Sequence, residues 1–514
     1  MAFSQKILIV YPHPPTLETV HLPVGLVSVI GIARSFNDVE VNTEIVPWGD
    51  FQRSKLEALI SRNAADVLAT PVYSDGYERI ERLLDSLLES NPKLRVVVGG
   101  PHIEAVKDGF LPGRQRLFRC NGASERAIAR ALARALGDNC QDKVYHTATF
   151  KSRNHLGLQR TPYHLLKETG GKIWRQARPV VVTSLGCDHR CTFCVESLPA
   201  RELTLRPSGI VKSELVWLCE NVENPFVMIG DDNLLARERH ARNMCEVFEE
   251  VAESYPELRF FMLARPDDIV QHQDIVKKWR DLPVVRVQIG LESGSYAMRK
   301  RYGKHFPDAT IHNAVDLLRK ADVSSIVGSV MIGGPYEDRN SLKETKSLLL
   351  DMMAHAPGRF EPIFSFLRPY PNLPVLSYVG RGLEPITGLR IGNTPEDRPF
   401  FETPALSEGE LWSLRDQMEE NIDQEMAALC DDVDAGKWRD KHEAEKAVGL
   451  QSRWMRVFKE APNCGGWLEL LQNHVERDGE VLFSDDMLSR RPLCTVGIPG
   501  GAFEERRVLP FGRG

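Results

Sequence analysis

Pro179-Val180-Val181-Val182-Thr183-Ser184-Leu185-Gly186-Cys187-Asp188-His189-Arg190-Cys191-Thr192-Phe193-Cys194 is a β-branched run that ends in three closely spaced cysteines. Residues 180–184 predict a buried strand, so the thiols fall on the loop at its carboxyl end. Three thiols at the spacing C-x-x-x-C-x-x-C can wrap one face of a metal or cluster without a distant partner, which reads as ligation and not as packing. A structural zinc ion would need a fourth ligand, and His189 would have to turn inward between two others to supply it. An inert buried trio is the packing alternative. The set fits best a [4Fe–4S] cluster in which one iron carries no protein thiolate.

Downstream of this loop the pattern repeats. Apolar runs at 226–230, 259–264, 284–291, 325–332 and 363–367 predict strands, and helical spacing at 211–218, 237–251, 267–279, 311–318 and 342–353 fills the gaps. With residues 180–184 this makes six strands, a partial (β/α)6 barrel over 179–385 whose functional loops lie at the carboxyl ends. Those loops are polar: Gly230-Asp231-Asp232-Asn233, Ala264-Arg265-Pro266-Asp267, and Ile289-Gly290-Leu291-Glu292-Ser293-Gly294-Ser295. Helix capping is the other use for Asp231 or Asp267.

Upstream, apolar runs at 6–10, 41–46, 66–72, 94–98 and 117–120 alternate with helical patterns, the last of them at 127–136. Continuous apolar strands between amphipathic helices predict a parallel sheet covered on both faces, a doubly wound, Rossmann-like domain over 1–138. Ligands of such sheets sit outside the carboxyl ends of the strands, here Pro12-His13, residues 70–74, residues 99–102 and Asn121-Gly122. Neither G-x-G-x-x-G after the first strand nor G-x-x-x-x-G-K-[ST] is present, which weakens nicotinamide and nucleoside triphosphate readings. Residues 139–178 read as a polar linker. Residues 386–514 read as a mostly helical region on the spacing of Leu411, Leu414, Met418, Ile422 and Met426. There Cys430, Cys464 and Cys494 are too far apart for an auxiliary cluster, and Trp412, Trp438, Trp454 and Trp467 read mainly as packing.

The chain of 514 residues is 42% hydrophobic and 26% charged, which argues against general disorder. Its 65 basic and 71 acidic residues give a net charge of −6 with no long basic block, so nucleic acid is not an expected partner. No apolar run approaches the roughly 18 residues of a bilayer span, no secretory signal is apparent, and ten cysteines are too sparse for a disulfide scaffold. Together these point to the reducing cytoplasm.

The cysteine motif, with the aromatic Phe193 before its last thiol, resembles that of the radical S-adenosylmethionine (SAM) enzymes. The resemblance implies that Cys187, Cys191 and Cys194 hold three irons of a [4Fe–4S] cluster and that the open iron chelates SAM. It places Phe193, Gly230, Asp231, Asp232, Arg265, Glu292, Ser293 and Ser295 around SAM. Residues 331–337 and 366–371, and Gly99-Gly100-Pro101-His102 with residues 121–125, resemble segments of the cobalamin-dependent subgroup over roughly residues 1–384. That subgroup implies a corrinoid at Thr70, Tyr73, Ser74, Gly99, Gly100, His102 and Gly122. D-x-H-x-x-G is missing from the first domain, so a histidine ligand to cobalt is not implied, and a domain that holds no cobalamin is the competing interpretation.

The implied activity is methyl transfer from SAM through cobalamin to a carbon of a small natural-product precursor, fed by an electron donor such as flavodoxin or ferredoxin. A radical cyclase, ring-contraction or rearrangement enzyme is the first alternative, and a non-catalytic cobalamin or iron–sulfur sensor the second. No membrane partner is expected.

Overall fold

Strands that are apolar at consecutive positions must be covered on both faces, and the first of two compact units does this with helices. The structure is a computed structural model describing residues 5–13, 24–74, 76–121, 125–137, 161–169, 178–197, 203–222, 225–356, 359–386 and 398–434. In the first unit, β1 (Gln5–His13), β2 (Val39–Pro47), β3 (Val67–Pro71), β4 (Arg95–Gly99) and β5 (Leu117–Arg119) form one parallel sheet in the order β2-β1-β3-β4-β5. Its helices are α1 (Val24–Arg34), α2 (Arg53–Asn63), α3 (Tyr77–Ser90), α4 (Pro101–Val106), α5 (Glu125–Leu136) and α6 (Tyr163–Thr169). Leu8, Val10, Leu68, Val96 and Val98 share a core with Leu56, Leu59, Ile80, Leu84 and Leu87 of α2 and α3. Strand alternation turns the equally buried Ile7, Ile9, Val67, Ala69 and Val97 to the other face, where α1 and α5 pack together. The strand order reverses between β1 and β3, which puts the ligand crevice of such folds at their carboxyl ends.

Among the described residues this unit comprises those before 170 and takes in one later short segment, Pro369–Asn372. Part of the stretch expected as a linker is therefore built into it: α6 lies against α1, Tyr163 is buried, and a Cβ on Gly31 would stand 3.2 Å from the Pro162 ring.

The second unit is organised on six parallel strands paired in chain order: β6 (Val180–Val181), β9 (Phe226–Ile229), β10 (Arg259–Ala264), β11 (Val284–Glu292), β12 (Ser325–Ile332) and β13 (Phe360–Phe366). Between them come α7 (Ser208–Asn221), α8 (Glu238–Ser254), α9 (Pro266–Gln271), α10 (Gln273–Lys278), α11 (Tyr296–Arg301), α12 (Asp308–Lys320) and α13 (Arg339–His355). This is the partial barrel, and the fold class is α/β throughout.

The first barrel strand is shorter than the sequence predicts. After Val181 the Thr183 N–H turns aside to Asp231 Oδ1 (2.5 Å) and its carbonyl accepts from Arg206 N–H (2.9 Å). β7 (Ser184–Leu185) then pairs antiparallel with β8 (Thr204–Leu205). The single helix predicted at 267–279 is two, broken at His272 (φ −108, ψ 38) without a glycine or proline. The last described helix, α14 (Glu408–Asp434), begins the expected helical region, and Trp412 stacks on Phe366 at 6.0 Å, a packing role. Trp438, Trp454, Trp467, Cys464, Cys494 and the Cys430 side chain lie outside the described residues. Among the described residues no helix is long and apolar enough to cross a membrane.

Candidate functional site

The cysteine loop is braced from behind. Thr192 N–H donates to the Tyr302 carbonyl (3.0 Å), Thr192 Oγ1 to the Arg301 carbonyl (2.9 Å), and the Thr192 carbonyl accepts from Val375 N–H (2.9 Å). Phe193 meets the Tyr302 ring edge-on at 5.5 Å, and a Cβ on Gly303 (φ +76) would stand 2.8 Å from the Arg190 carbonyl, so only glycine lets the loop sit this close. Burial pushes the Cys187 thiol up to about 11 and the Cys194 thiol up to about 12. The N–H groups of His189 and Glu196 oppose this, and the negative charge of Asp232 reinforces it. Arg265 Nη1 stands 3.0 Å from Cys191 Sγ while its other nitrogens grip Asp267 at 2.8–3.0 Å.

Among the described residues, no three His, Cys, Asp or Glu side chains already stand in a metal-holding group. The donor set nevertheless suits an iron–sulfur cluster: three thiols on one anchored loop, with a guanidinium to offset thiolate charge. It does not suit zinc through His189, whose Nε2 is held by Asp268 Oδ2 at 2.7 Å. Asn233 Nδ2 donates to the same oxygen. Burial alone would raise the Asp268 carboxyl, but His189, Asn233 and Arg265 together outweigh it and hold it below the usual range.

The polar strand ends divide into two groups. Asp232 is exposed and near both Cys187 and Cys194, and Arg265 reaches the loop directly. Asp231, by contrast, is buried and fully engaged, accepting from Thr183 N–H and Oγ1 (2.5 Å each) and from Ser184 Oγ (2.6 Å). His240 Nε2 lies 2.9 Å from Thr183 Oγ1 on the far side. Asp231 ties two strand ends together instead of facing a ligand. Gly230 is likewise a packing position, because a Cβ there would stand 2.7 Å from Val180 Cγ1.

Glu292 closes a bulge in the β11–β12 pairing at φ +64 and holds the buried Lys304 at 2.8 Å. Ser293 Oγ lies 3.1 Å from Thr345 Oγ1 and accepts from Ser295 N–H, also at 3.1 Å. These three residues expected at SAM are thus placed at the carboxyl end of β11 but bonded within the protein. Sequence reasoning missed Tyr302, Gly303 and Lys304, since a short run of basic residues carries no motif. It also missed Glu337 as an individual, whose buried carboxylate accepts from Gly333 and Gly334 N–H and is pushed up to about 7 by burial.

In the first unit the expected cobalamin residues meet at one sheet edge. Val72 N–H donates to the Gly99 carbonyl (2.7 Å), His102 N–H donates to the Val72 carbonyl (3.2 Å), and a Cβ on Gly100 (φ +98) would stand 3.0 Å from that oxygen. Tyr73 Oη reaches Tyr11 Oη at 3.4 Å, and Thr70 is buried beside them on β3. Gly122 lies outside the described residues.

His102 turns inward. Its Nδ1 lies 3.1 Å from Ser74 Oγ, and its ring stacks on Tyr77 at 4.1 Å. Burial lowers its pKa from 6.5 to about 4, so between those values an unfolded chain takes up a proton that the folded chain refuses. The resulting stability is present above pH 6.5 and lost as pH falls through 4. Urea unfolding of the wild type and His102→Gln should show the wild type losing its advantage over this window, by at most about 1.4 kcal/mol per pH unit. A difference that stays constant with pH would show that the folded chain protonates His102 freely.

Residues 181–349 of the second unit, the stretch that carries the cysteine loop, match the family model described as the Radical SAM superfamily. The chain shares its fold with cobalamin-dependent members. It aligns with the cobalamin-dependent SAM radical enzyme OxsB, solved with aqua-cobalamin and SAM, at TM-score 0.61 and 15% identity, covering 91% of this chain and 74% of that one. It aligns with the radical SAM methyltransferase TsrM of Kitasatospora setae, solved with cobalamin and a [4Fe–4S] cluster, at TM-score 0.53 and 16% identity over 72% and 77% of the two chains. Among curated sequences it is 24% identical over 281 residues to an anaerobic magnesium-protoporphyrin IX monomethyl ester cyclase of Synechocystis sp., spanning 52% of this chain and 56% of that protein. It is 28% identical over 200 residues to a tRNA-2-methylthio-N(6)-dimethylallyladenosine synthase of Acidothermus cellulolyticus, spanning 36% of this chain and 37% of that protein. The chain thus spans 37% to 56% of the length of these curated relatives.

Proposed function

We propose that this chain is a cobalamin-dependent radical SAM methyltransferase that places a methyl group from SAM on a carbon of a small molecule. The observation that carries the reading is the pairing, on one chain, of a doubly wound unit with a polar switch-point edge and a radical SAM domain with its cysteine loop. When bound, the cluster would supply the electron that cleaves SAM, and the corrinoid would supply a methyl carrier. Cys187, Cys191 and Cys194 are the cluster ligands in this reading, with Arg265 offsetting their charge and Asp232 as the outward carboxylate for the SAM amino group. At the sheet edge, Gly99 and Gly100 fit closely against Cys120 and Val72, and a corrinoid would lie along the loop that they shape. His102, held neutral and turned to Ser74, would line this edge through its backbone and ring rather than offer Nδ1 to a bound corrinoid. A net charge of −6 without a basic block favours a small substrate over the tRNA named for the second curated relative.

The Synechocystis relative supports a second reading, radical ring closure without methyl transfer. The two separate in an anaerobic incubation of the chain, reconstituted with iron, sulfide and cobalamin, with methyl-labelled SAM, a reductant and a small-molecule extract of the source cells. Methyl transfer to an unactivated carbon should yield labelled product together with both S-adenosylhomocysteine and 5′-deoxyadenosine. Unlabelled product with deoxyadenosine alone would replace methyl transfer by cyclisation or rearrangement.

A further inference from the structure

We infer that the outer face of the cysteine loop docks an acidic one-electron donor protein, through a surface built from Arg190, Lys300, Arg301, Tyr336, Tyr378 and Arg381. This rests on the reading of the three cysteines as cluster ligands. Arg301 lies over the Tyr336 ring at 5.2 Å, Tyr336 meets Tyr378 edge-on at 5.9 Å, and Arg381 lies over Tyr378 at 5.3 Å. One turn back on α11, Lys300 Nζ sits 4.5 Å from the Tyr296 ring centroid. The result is two clusters of rings and cations, Arg301–Tyr336–Tyr378–Arg381 and Lys300–Tyr296, joined through the backbone of α11. Large apolar side chains are ordinarily withdrawn from water, yet Tyr296, Tyr336 and Val379 of this region stay 40–42% exposed. Aromatic residues and arginine are the types that protein interfaces enrich.

The backbone reinforces the point. Tyr336 is held at φ +58, an uncommon conformation for a bulky residue. Its N–H donates to the Gly382 carbonyl (2.9 Å), and a Cβ on Gly382 would stand 2.7 Å from its ring. A strained backbone that keeps a tyrosine on the surface is maintained against its cost. The charge is one-sided: Arg190, Lys300 and Arg381 are exposed and Arg301 is partly so. The nearby carboxylates are Glu384, which is exposed, Glu337, which is buried and held by the Gly333 and Gly334 N–H groups close to Arg301, Asp338, which caps α13 through Ser341, and Asp188, which is paired with Arg237 at 2.8 Å.

The surface is also in the right place for an electron to enter. Thr192, next to Cys191, is hydrogen-bonded to the carbonyls of Arg301 and Tyr302, and Arg190 to Thr192 form the loop itself. From the Tyr336 ring the path to a cluster thiolate runs along the Arg301 side chain to its carbonyl, across one hydrogen bond to Thr192 Oγ1, and one residue back to Cys191. Attraction between a basic surface and an acidic donor speeds encounter and weakens with salt.

The test is stopped-flow reduction of the reconstituted full chain by two acidic probes, reduced flavodoxin and reduced [2Fe–2S] ferredoxin, with dithionite as a small reductant. Lys300→Glu/Arg381→Glu should slow reduction by the effective protein donor about tenfold or more at low salt and flatten its salt dependence. Dithionite reduction should be unaltered. Tyr336→Ser should slow the protein donor without flattening the salt dependence, and Lys212→Glu on α7 should change neither rate. Protein-donor rates unmoved by both surface variants, an equal slowing by dithionite, or a wild-type cluster that neither protein reduces although dithionite does, would overturn the docking surface alone. A wild-type chain that assembles no cluster would overturn the cluster reading on which it rests.

Discussion

Replacing Cys187, Cys191 and Cys194 together by alanine should abolish iron and sulfide binding, remove the charge-transfer absorption of the cluster, and eliminate SAM cleavage. The expected loss is complete because the motif offers no spare thiolate: Cys219 and Cys245, the other described cysteines of the second unit, lie on α7 and α8 away from the loop. The first unit should remain folded, since its core is built from its own strands and helices. Iron and sulfide analysis with circular dichroism checks both halves. Retention of a full cluster in the triple variant would overturn the assignment.

Asp231→Ala should be the most destabilising single change at the carboxyl edge of the barrel, costing about 3 kcal/mol or more. It strands the Thr183 N–H and leaves the hydroxyls of Thr183 and Ser184 to find other partners in a buried setting. Asp231→Asn, which keeps one acceptor, should recover part of the loss. The measurement is urea unfolding alongside equilibrium dialysis of SAM. A stability loss with residual SAM affinity fits the strand-tying role seen in the structure. A large fall in affinity at unchanged stability would return Asp231 to the SAM site that its position in the sequence first suggested.

That contrast shows what local pattern can and cannot convey. The inner barrel strands β9 to β12 were legible because burial leaves them apolar at most successive positions, whereas the edge strand β13, buried only at its ends, begins three residues before the apolar run that marks it. The cysteine loop was legible because its ligands are contiguous. Asp231 and Asp232 look alike in sequence, and which of them turns inward depends on Thr183 and Ser184, nearly fifty positions earlier and on another strand. Lys304 reads as a solvated base in Arg299-Lys300-Arg301-Tyr302-Gly303-Lys304. Its burial follows from a bulge that points Glu292 at it, and a bulge has no signature in residue type here. The break at His272 was hidden for the same reason, as neither glycine nor proline marks it.

Pairing in chain order has a consequence for how the protein is made. Each barrel strand finds its neighbour already synthesised, so the sheet can grow from one edge as the ribosome proceeds. The cysteines emerge near the start of that process, but the residues that brace their loop, Tyr302, Gly303 and Val375, come much later. At about 5–20 residues per second the gap from Cys191 to Val375 amounts to roughly 10–40 s. During that interval three thiols are presented on an unsupported segment, open to oxidation and to loose iron. Yields of chain with all three thiols intact should therefore depend on keeping nascent chains away from oxygen.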